Sequence, residues 1–242
     1  MSQTGDILSR CFELAGAGRL DEAGDLAESA LAKQGENGSL WRFVGLMRHQ
    51  AGDFVGACGA LETAQLLVPL DPATNCALAE CLARTGCREL AGEIYQSLAA
   101  SDRTPERLLP TIAAGLGYLG EFSSALRVCL DLTRRSPELP EAHFGVAFYL
   151  RRLGKPPEAA LSYIARAHEL APDVVLYRIS LATLLDHGGR REEAYELLRG
   201  VDLDEVSCRC CLRRMTTIFF AAGDADRVES CRRRSADGDD GC

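Results

Sequence analysis

The stretch WRFVGLMRHQAGDFVGACGALETAQLLVP, residues 41–69, carries the pattern that decides the fold. Trp41, Val44, Gly45 and Arg48 recur at the spacing that places side chains on one face of a helix. Gly52 follows, and only glycine enters the left-handed conformation of a helix end at little cost. A second run sets Ala57, Leu61 and Ala64 on one face, and Pro69 stops it because proline cannot continue a helix. The stretch is expected to be a hairpin of two helices joined by a glycine turn.

Outward from this segment the same features return on a ruler. Gly18, Gly52, Gly86, Gly120, Gly154, Gly189 and Gly223 are separated by 34, 34, 34, 34, 35 and 34 residues. Five or six residues after the first six come Ala23, Ala57, Ala91, Ala125, Ala160 and Ala194, with Val228 in the seventh repeat. A further small or apolar residue follows seven later, at Ala30, Ala64, Leu98, Leu132, Ala167 and Val201. The extra residue of the fifth repeat falls in Lys155-Pro156-Pro157, where a turn absorbs it, and Pro137 and Pro172 repeat the stop of Pro69. Gly45, Ala79, Ala113 and Ala147 leave room for paired axes to approach closely. A single hairpin cannot bury its apolar face, so neighbours must stack into one continuous core. The expectation is an all-α chain, an α-solenoid of about seven antiparallel helical hairpins of 34 residues. Its repeats fall near 4–37, 38–71, 72–105, 106–139, 140–174, 175–208 and 209–235, as a single domain over 1–235, with a disordered acidic tail over 236–242.

These residues resemble the tetratricopeptide repeat family. The second repeat matches best, with Trp41-x2-Val44-Gly45-x2-Arg48, then Gly52, Phe54, Ala57, Leu61, Ala64 and Pro69. The fourth reads Ile112-Ala113, Leu116, Gly120, Phe122, Ala125, Cys129, Leu132 and Pro137; the sixth reads Leu181-Ala182, Leu185, Gly189, Ala194, Leu198 and Val201. Arg10 and Arg48 depart from the pattern, standing where the family places apolar residues. The resemblance implies a right-handed superhelix whose concave wall is lined by the first helix of each repeat, and a protein or peptide partner lying in it. In that register the wall carries Phe12; Arg42 and Leu46; Cys76; Tyr118; Phe144, Phe148, Arg151 and Arg152; Ile179 and Thr183; and Arg213, Thr217 and Phe220. Phe144, Phe148, Arg151 and Arg152 share one helix, and aromatics beside arginines suit a segment with apolar anchors and an acidic group. Some members of the family hold a chaperone's C-terminal carboxylate with Lys and Asn. Here the corresponding repeats offer Arg42, Leu46, Ala77, Arg107 and Thr111, so such a clamp is not expected.

Composition excludes other classes. The 242 residues hold 27 Lys+Arg against 35 Asp+Glu, a net charge of −8, which disfavours nucleic acid as a partner. The longest uncharged stretch, residues 108–120, contains Pro110 and falls short of the ~18 apolar residues of a membrane span. No cationic segment followed by an apolar one opens the sequence, so neither membrane nor export is expected and the cytoplasm is. None of the four histidines has a nearby Ser or Cys in a nucleophile motif, and no phosphate loop, dinucleotide fingerprint or H-E-x-x-H occurs, so no catalytic residue and no cofactor is expected.

Eleven cysteines, an odd number, argue for reduced thiols, and Cys76, Cys81 and Cys87 read as small apolar filler. The alternative to a plain adaptor is a metal- or redox-responsive module at the C-terminal cysteines. Antiparallel helices bring the Cys208-x2-Cys211 pair towards Cys231, with Cys210 or Cys242 as fourth ligand for zinc. A second CxxC pair is absent, so metal is not the favoured reading. Arg209, Arg213, Arg214, Arg227 and Arg232 to Arg234 read as a polar cap that keeps the last repeat soluble.

Overall fold

The computed structural model describes residues 3–33 and 35–237, which form fourteen α-helices and no strand. They are α1 (Gln3–Gly16), α2 (Leu20–Leu31), α3 (Gly38–Gln50), α4 (Phe54–Leu67), α5 (Pro72–Thr85), α6 (Arg88–Ala100) and α7 (Leu109–Tyr118). There follow α8 (Phe122–Arg135), α9 (Pro140–Arg152), α10 (Pro157–Leu170), α11 (Val175–His187), α12 (Arg191–Leu198), α13 (Arg209–Ala222) and α14 (Ala225–Asp237). Of the expected tail, 236 and 237 close α14, and 238–242 lie outside the described residues.

The chain divides into two compact bodies, Met1–Glu121 and Phe122–Cys242. In the first, α1/α2, α3/α4 and α5/α6 pair as hairpins, α2 packs on α3, α4 on α5, and α7 on α5 and α6. In the second, α9/α10, α11/α12 and α13/α14 pair, α8 packs on α9, α10 on α11, and α13 on both α11 and α12. Each body is an all-α solenoid of stacked helical hairpins.

The ruler glycines make the turns. All seven have positive φ, between 66° and 99°, and no other described residue does. After each one, the next residue's N–H donates to the carbonyl five positions earlier, as Asp53 does to Arg48 at 3.0 Å and Cys87 to Leu82 at 2.8 Å. That bond satisfies a carbonyl left open by the ending helix and, within each body, aims the chain back along it. At Gly52 nothing lies within 4 Å of the place a Cβ would take, so the backbone conformation, not crowding, demands glycine there.

The alanines make the seams. Ala23, Ala57, Ala91, Ala125, Ala160 and Ala194 are all completely buried. Opposite Ala57's helix, a Cβ on Gly45 would lie 2.6 Å from the Leu61 side chain, so α3 and α4 touch almost backbone to side chain. Arg48 is no defect in this pattern: its guanidinium pairs with Glu28 of α2 at 2.6 Å and reaches the Gly56 carbonyl.

Three corrections concern register. Cys76, Ile179 and Thr183, expected on the open wall, are buried, because α5 packs on α3 and α7 and α11 packs on α13. Cys87 is exposed and precedes α6, so it is not core filler. Val201, expected on a helix, lies beyond α12, which stops after 8 residues. The chain then runs as a connection with one 3-10 turn at Leu203–Glu205, in which Asp202 accepts the Asp204 N–H at 2.9 Å. Val201, Leu203 and Val206 bury this connection against the core.

The turn and the helix interior make opposite demands on glycine. Gly59 lies inside α4 with open space around it, so Gly59→Ala is expected to stabilise by about 0.5–1 kcal/mol. Gly52→Ala is expected to destabilise by about 1–2 kcal/mol through left-handed strain. Thermal unfolding followed by circular dichroism checks this as Tm shifts of opposite sign; shifts of the same sign refute the assignment.

Candidate binding groove

The C-terminal body opens a cavity of about 690 Å³ between α9, α11, α13 and the connection leading into α13. One wall is aromatic. Phe144 is half-buried, with its ring 5.0 Å from Tyr177 and 6.2 Å from Phe148. Phe148 meets Tyr149 edge to face at 5.1 Å and keeps 43% of its surface exposed. Such a ring is held in place yet free to receive an apolar group.

The other feature is positive charge. Arg151 and Arg152 follow Phe148 on α9, and Arg214 enters from α13. The Arg152 guanidinium lies over the Phe122 ring at 4.6 Å, which occupies one of its faces. Arg151 and Arg214 form no ion pair among the described residues, although Glu205 also lines the cavity. Burial first, and the like charge of Arg214 second, hold the Arg151 pKa below the ordinary guanidinium value. An arginine stays charged regardless, so the cost of burial falls on its charged form.

Phe144, Phe148, Arg151 and Arg152 thus line a single cavity. In the N-terminal body the other candidates make separate contacts. Phe12 is exposed and meets Phe43 edge to face at 5.1 Å, and Leu46 packs on the core between α4 and α5. Arg42 pairs with Asp71 at 3.3 Å. Tyr118 is exposed, with the guanidinium groups of Arg84 and Arg88 at 5.3 Å and 5.6 Å from its ring.

Sequence reasoning missed Arg214 and the connection carrying Val206. It chose Arg213, Thr217 and Phe220, which the structure leaves exposed one helical step round, and it assigned Arg214 to a solvated cap. Arg213, Arg232 and Arg233 are exposed, but two members of the expected cap are engaged instead. Arg227 donates to the Leu198 and Val201 carbonyls at 3.0 Å and 2.6 Å and stacks on Phe219, while Arg234 bonds to Asp204. These arginines tie α14 to the preceding connection.

The C-terminal cysteines separate into two groups. Cys208 is the N-cap of α13, and its Sγ accepts the Cys211 N–H at 3.3 Å. The sulfurs of Cys208, Cys210 and Cys211 all lie within 4.8 Å of one another, on the wall of the same cavity. Cys231 is outside this group: it is fully buried in the core on α14, near Thr216. The expected set of four therefore does not assemble through Cys231, and Cys242 lies outside the described residues. Cys208 is disulfide-bonded, whereas Cys11, Cys58, Cys76, Cys81, Cys87, Cys129, Cys210, Cys211 and Cys231 are free.

No protein-family model matches the sequence, and no curated protein matches it. Solved structures do match. A tetratricopeptide repeat protein from Parabacteroides merdae aligns with a TM-score of 0.73 at 14% identity, over 96% of this chain and 92% of its own. The pilF protein of Pseudomonas aeruginosa aligns at 0.62 and 20%, over 86% and 90%. YrrB, described as a tetratricopeptide repeat protein with an unusual peptide-binding site, aligns at 0.62 and 16%, over 71% and 88%. The likeness is one of fold, and it is the fold that the repeats resemble: this chain has the tetratricopeptide repeat architecture. No helix among the described residues is long and apolar enough to cross a membrane.

Burial sets the reactivity of the thiols. It pushes Cys76 up to about 11 and Cys81 and Cys129 up to about 12, so almost no thiolate exists at pH 8. Native alkylation at pH 8, read by mass spectrometry, is expected to modify exposed Cys87 while Cys76, Cys81 and Cys129 wait for denaturant. Modification of Cys129 at the pace of Cys87 contradicts the packing.

Proposed function

We propose that the protein is a non-catalytic interaction scaffold that holds a segment of a partner protein in the groove of its C-terminal body. The observation that carries this reading is that Arg151 and Arg214, which form no ion pair among the described residues, are set beside the Phe144 and Phe148 rings in one cavity. Apolar surface alone would favour any greasy segment, and arginines alone any anion. Together they select a segment with a bulky apolar side chain next to a carboxylate, since the guanidinium fork binds a carboxylate through two hydrogen bonds. Phe12, Leu46 and Tyr118 offer apolar contacts on the N-terminal body, and Arg42, already paired with Asp71, adds less. Fold likeness to YrrB, described as having a peptide-binding site, supports a peptide as the partner's contribution. Localisation to the cytoplasm rests on the sequence alone.

The test is selection from a displayed peptide library, followed by affinity measurement on the best sequence. Selected peptides are expected to pair an aromatic or large aliphatic residue with Asp, Glu or a C-terminal carboxylate. Phe148→Ala and Arg151→Ala are each expected to weaken binding tenfold to thirtyfold, about 1.4–2 kcal/mol. Binding should also weaken with salt, as charge pairing at a partly open site does. Selected peptides that bind wild type, Phe148→Ala and Arg151→Ala equally overturn the groove assignment.

A further inference from the structure

Beside the aromatic wall, three sulfurs converge on the first turn of α13. We propose that Cys208, Cys210 and Cys211, once Cys208 is reduced, form a trithiolate site for a thiophilic cation such as Zn2+, with its fourth position open to the groove. This goes beyond the partner-binding reading and does not rest on it, because the ligand is different and the groups that would coordinate it are cysteines.

Geometry comes first. In a tetrahedral zinc site with Zn–S near 2.3 Å, neighbouring sulfurs stand about 3.8 Å apart. Here all three lie within 4.8 Å, so closing the set asks for a shift of about 1 Å at most, within reach of side-chain rotation. The local fold explains the convergence. An N-cap side chain turns back over the first helical turn, and the Cys208 sulfur does so to accept the Cys211 N–H. Cys210 and Cys211 occupy that same turn. None of the three needs the buried Cys231.

Electrostatics agrees. The N-terminus of a 14-residue helix favours thiolates, and so do nearby guanidinium groups. Three thiolates and one Zn2+ carry a net charge of −1, which Arg151 and Arg214 on the same cavity wall are placed to balance. Access is provided as well: Cys208 and Cys210 are half-buried, and the cavity leads to them.

The chemistry balances in two steps. Cys208 is disulfide-bonded in this structure. An external thiol attacks that bond and a second completes the exchange, so two thiols are oxidised to a disulfide while Cys208 and its partner sulfur each gain a proton. Zn2+ then replaces up to three protons on the three cysteines, which are released to solvent. Occupancy therefore requires reducing conditions and weakens as pH falls.

The full chain, reduced and kept under a phosphine reductant, is titrated with Co2+ as the probe. The expected result is one equivalent bound, with thiolate-to-cobalt charge-transfer absorption and tetrahedral d–d bands, both erased by one equivalent of Zn2+. Cys210→Ser and Cys211→Ser, checked for helix content by circular dichroism, should each weaken binding at least tenfold and diminish the charge-transfer band. Cys87→Ser, in the other body, should leave the titration unchanged. A reduced chain showing no charge-transfer band overturns the proposal, as do Cys210→Ser and Cys211→Ser variants that bind like wild type. So does equal binding by the untreated, oxidised chain, since Cys208 would then not be a ligand.

Discussion

The close approach of two helices at a methyl group is the contact on which every other part depends. Six alanines, one in each of the first six repeats, are completely buried, and larger side chains pack around them. A larger residue there would push the axes apart and open voids between them, and protein interiors do not tolerate voids. The glycine turns serve that contact. By reversing the chain through a left-handed residue and bonding back to the carbonyl five positions earlier, the turns within each body set the angle at which the second helix of a hairpin meets the first. A regular seam then stacks with the next, which is how short helices that could not stand alone become stable.

Once the seams are regular, an irregularity is informative. The α12 helix is cut to 8 residues, and the chain that would have completed it crosses as a buried connection. Asp202 caps the 3-10 turn, Val201, Leu203 and Val206 anchor it, and Arg227 ties its carbonyl groups to α14. The displaced connection forms part of the cavity lining, and it ends at the N-cap that carries Cys208. The connection that follows this short helix thus supplies Glu205, Val206 and Ser207 to the cavity lining.

The repeat, its period and its turns were legible in the sequence because each depends on one residue type at one place. Gly52 can be read as a turn because no other residue takes its φ cheaply, and Ala57 as a seam because nothing larger fits. Which face of a helix stays open is a different matter. Periodicity identifies a face, but the packing of the next hairpin decides whether it meets solvent. Ile179 and Thr183 looked open and are covered, while Arg213 and Arg214 differ by one helical step and only the second reaches the cavity. The arginine cluster misled for a related reason: Arg227 spends its charge on backbone carbonyls that the sequence could not show to be within reach.

The net charge of −8 shows how little a global sum constrains a local site. Screening confines an exposed charge to about 8–10 Å at physiological salt, so distant carboxylates barely weaken two guanidinium groups half-buried together. After burial, the like charge of Arg214 holds the Arg151 pKa down, while the neighbouring Arg152 lies over a ring instead. Any anion that enters relieves that repulsion as well as forming its own hydrogen bonds, and so gains more than it would at an isolated arginine. Lysine would serve less well, because its ammonium is more strongly hydrated and lacks the planar fork that stacks on an aromatic face while binding a carboxylate edge-on. The same two charges stand beside the three sulfurs. A partner's carboxylate and a metal-bound trithiolate, the two ligands proposed above, both bear negative charge and would compete for that field.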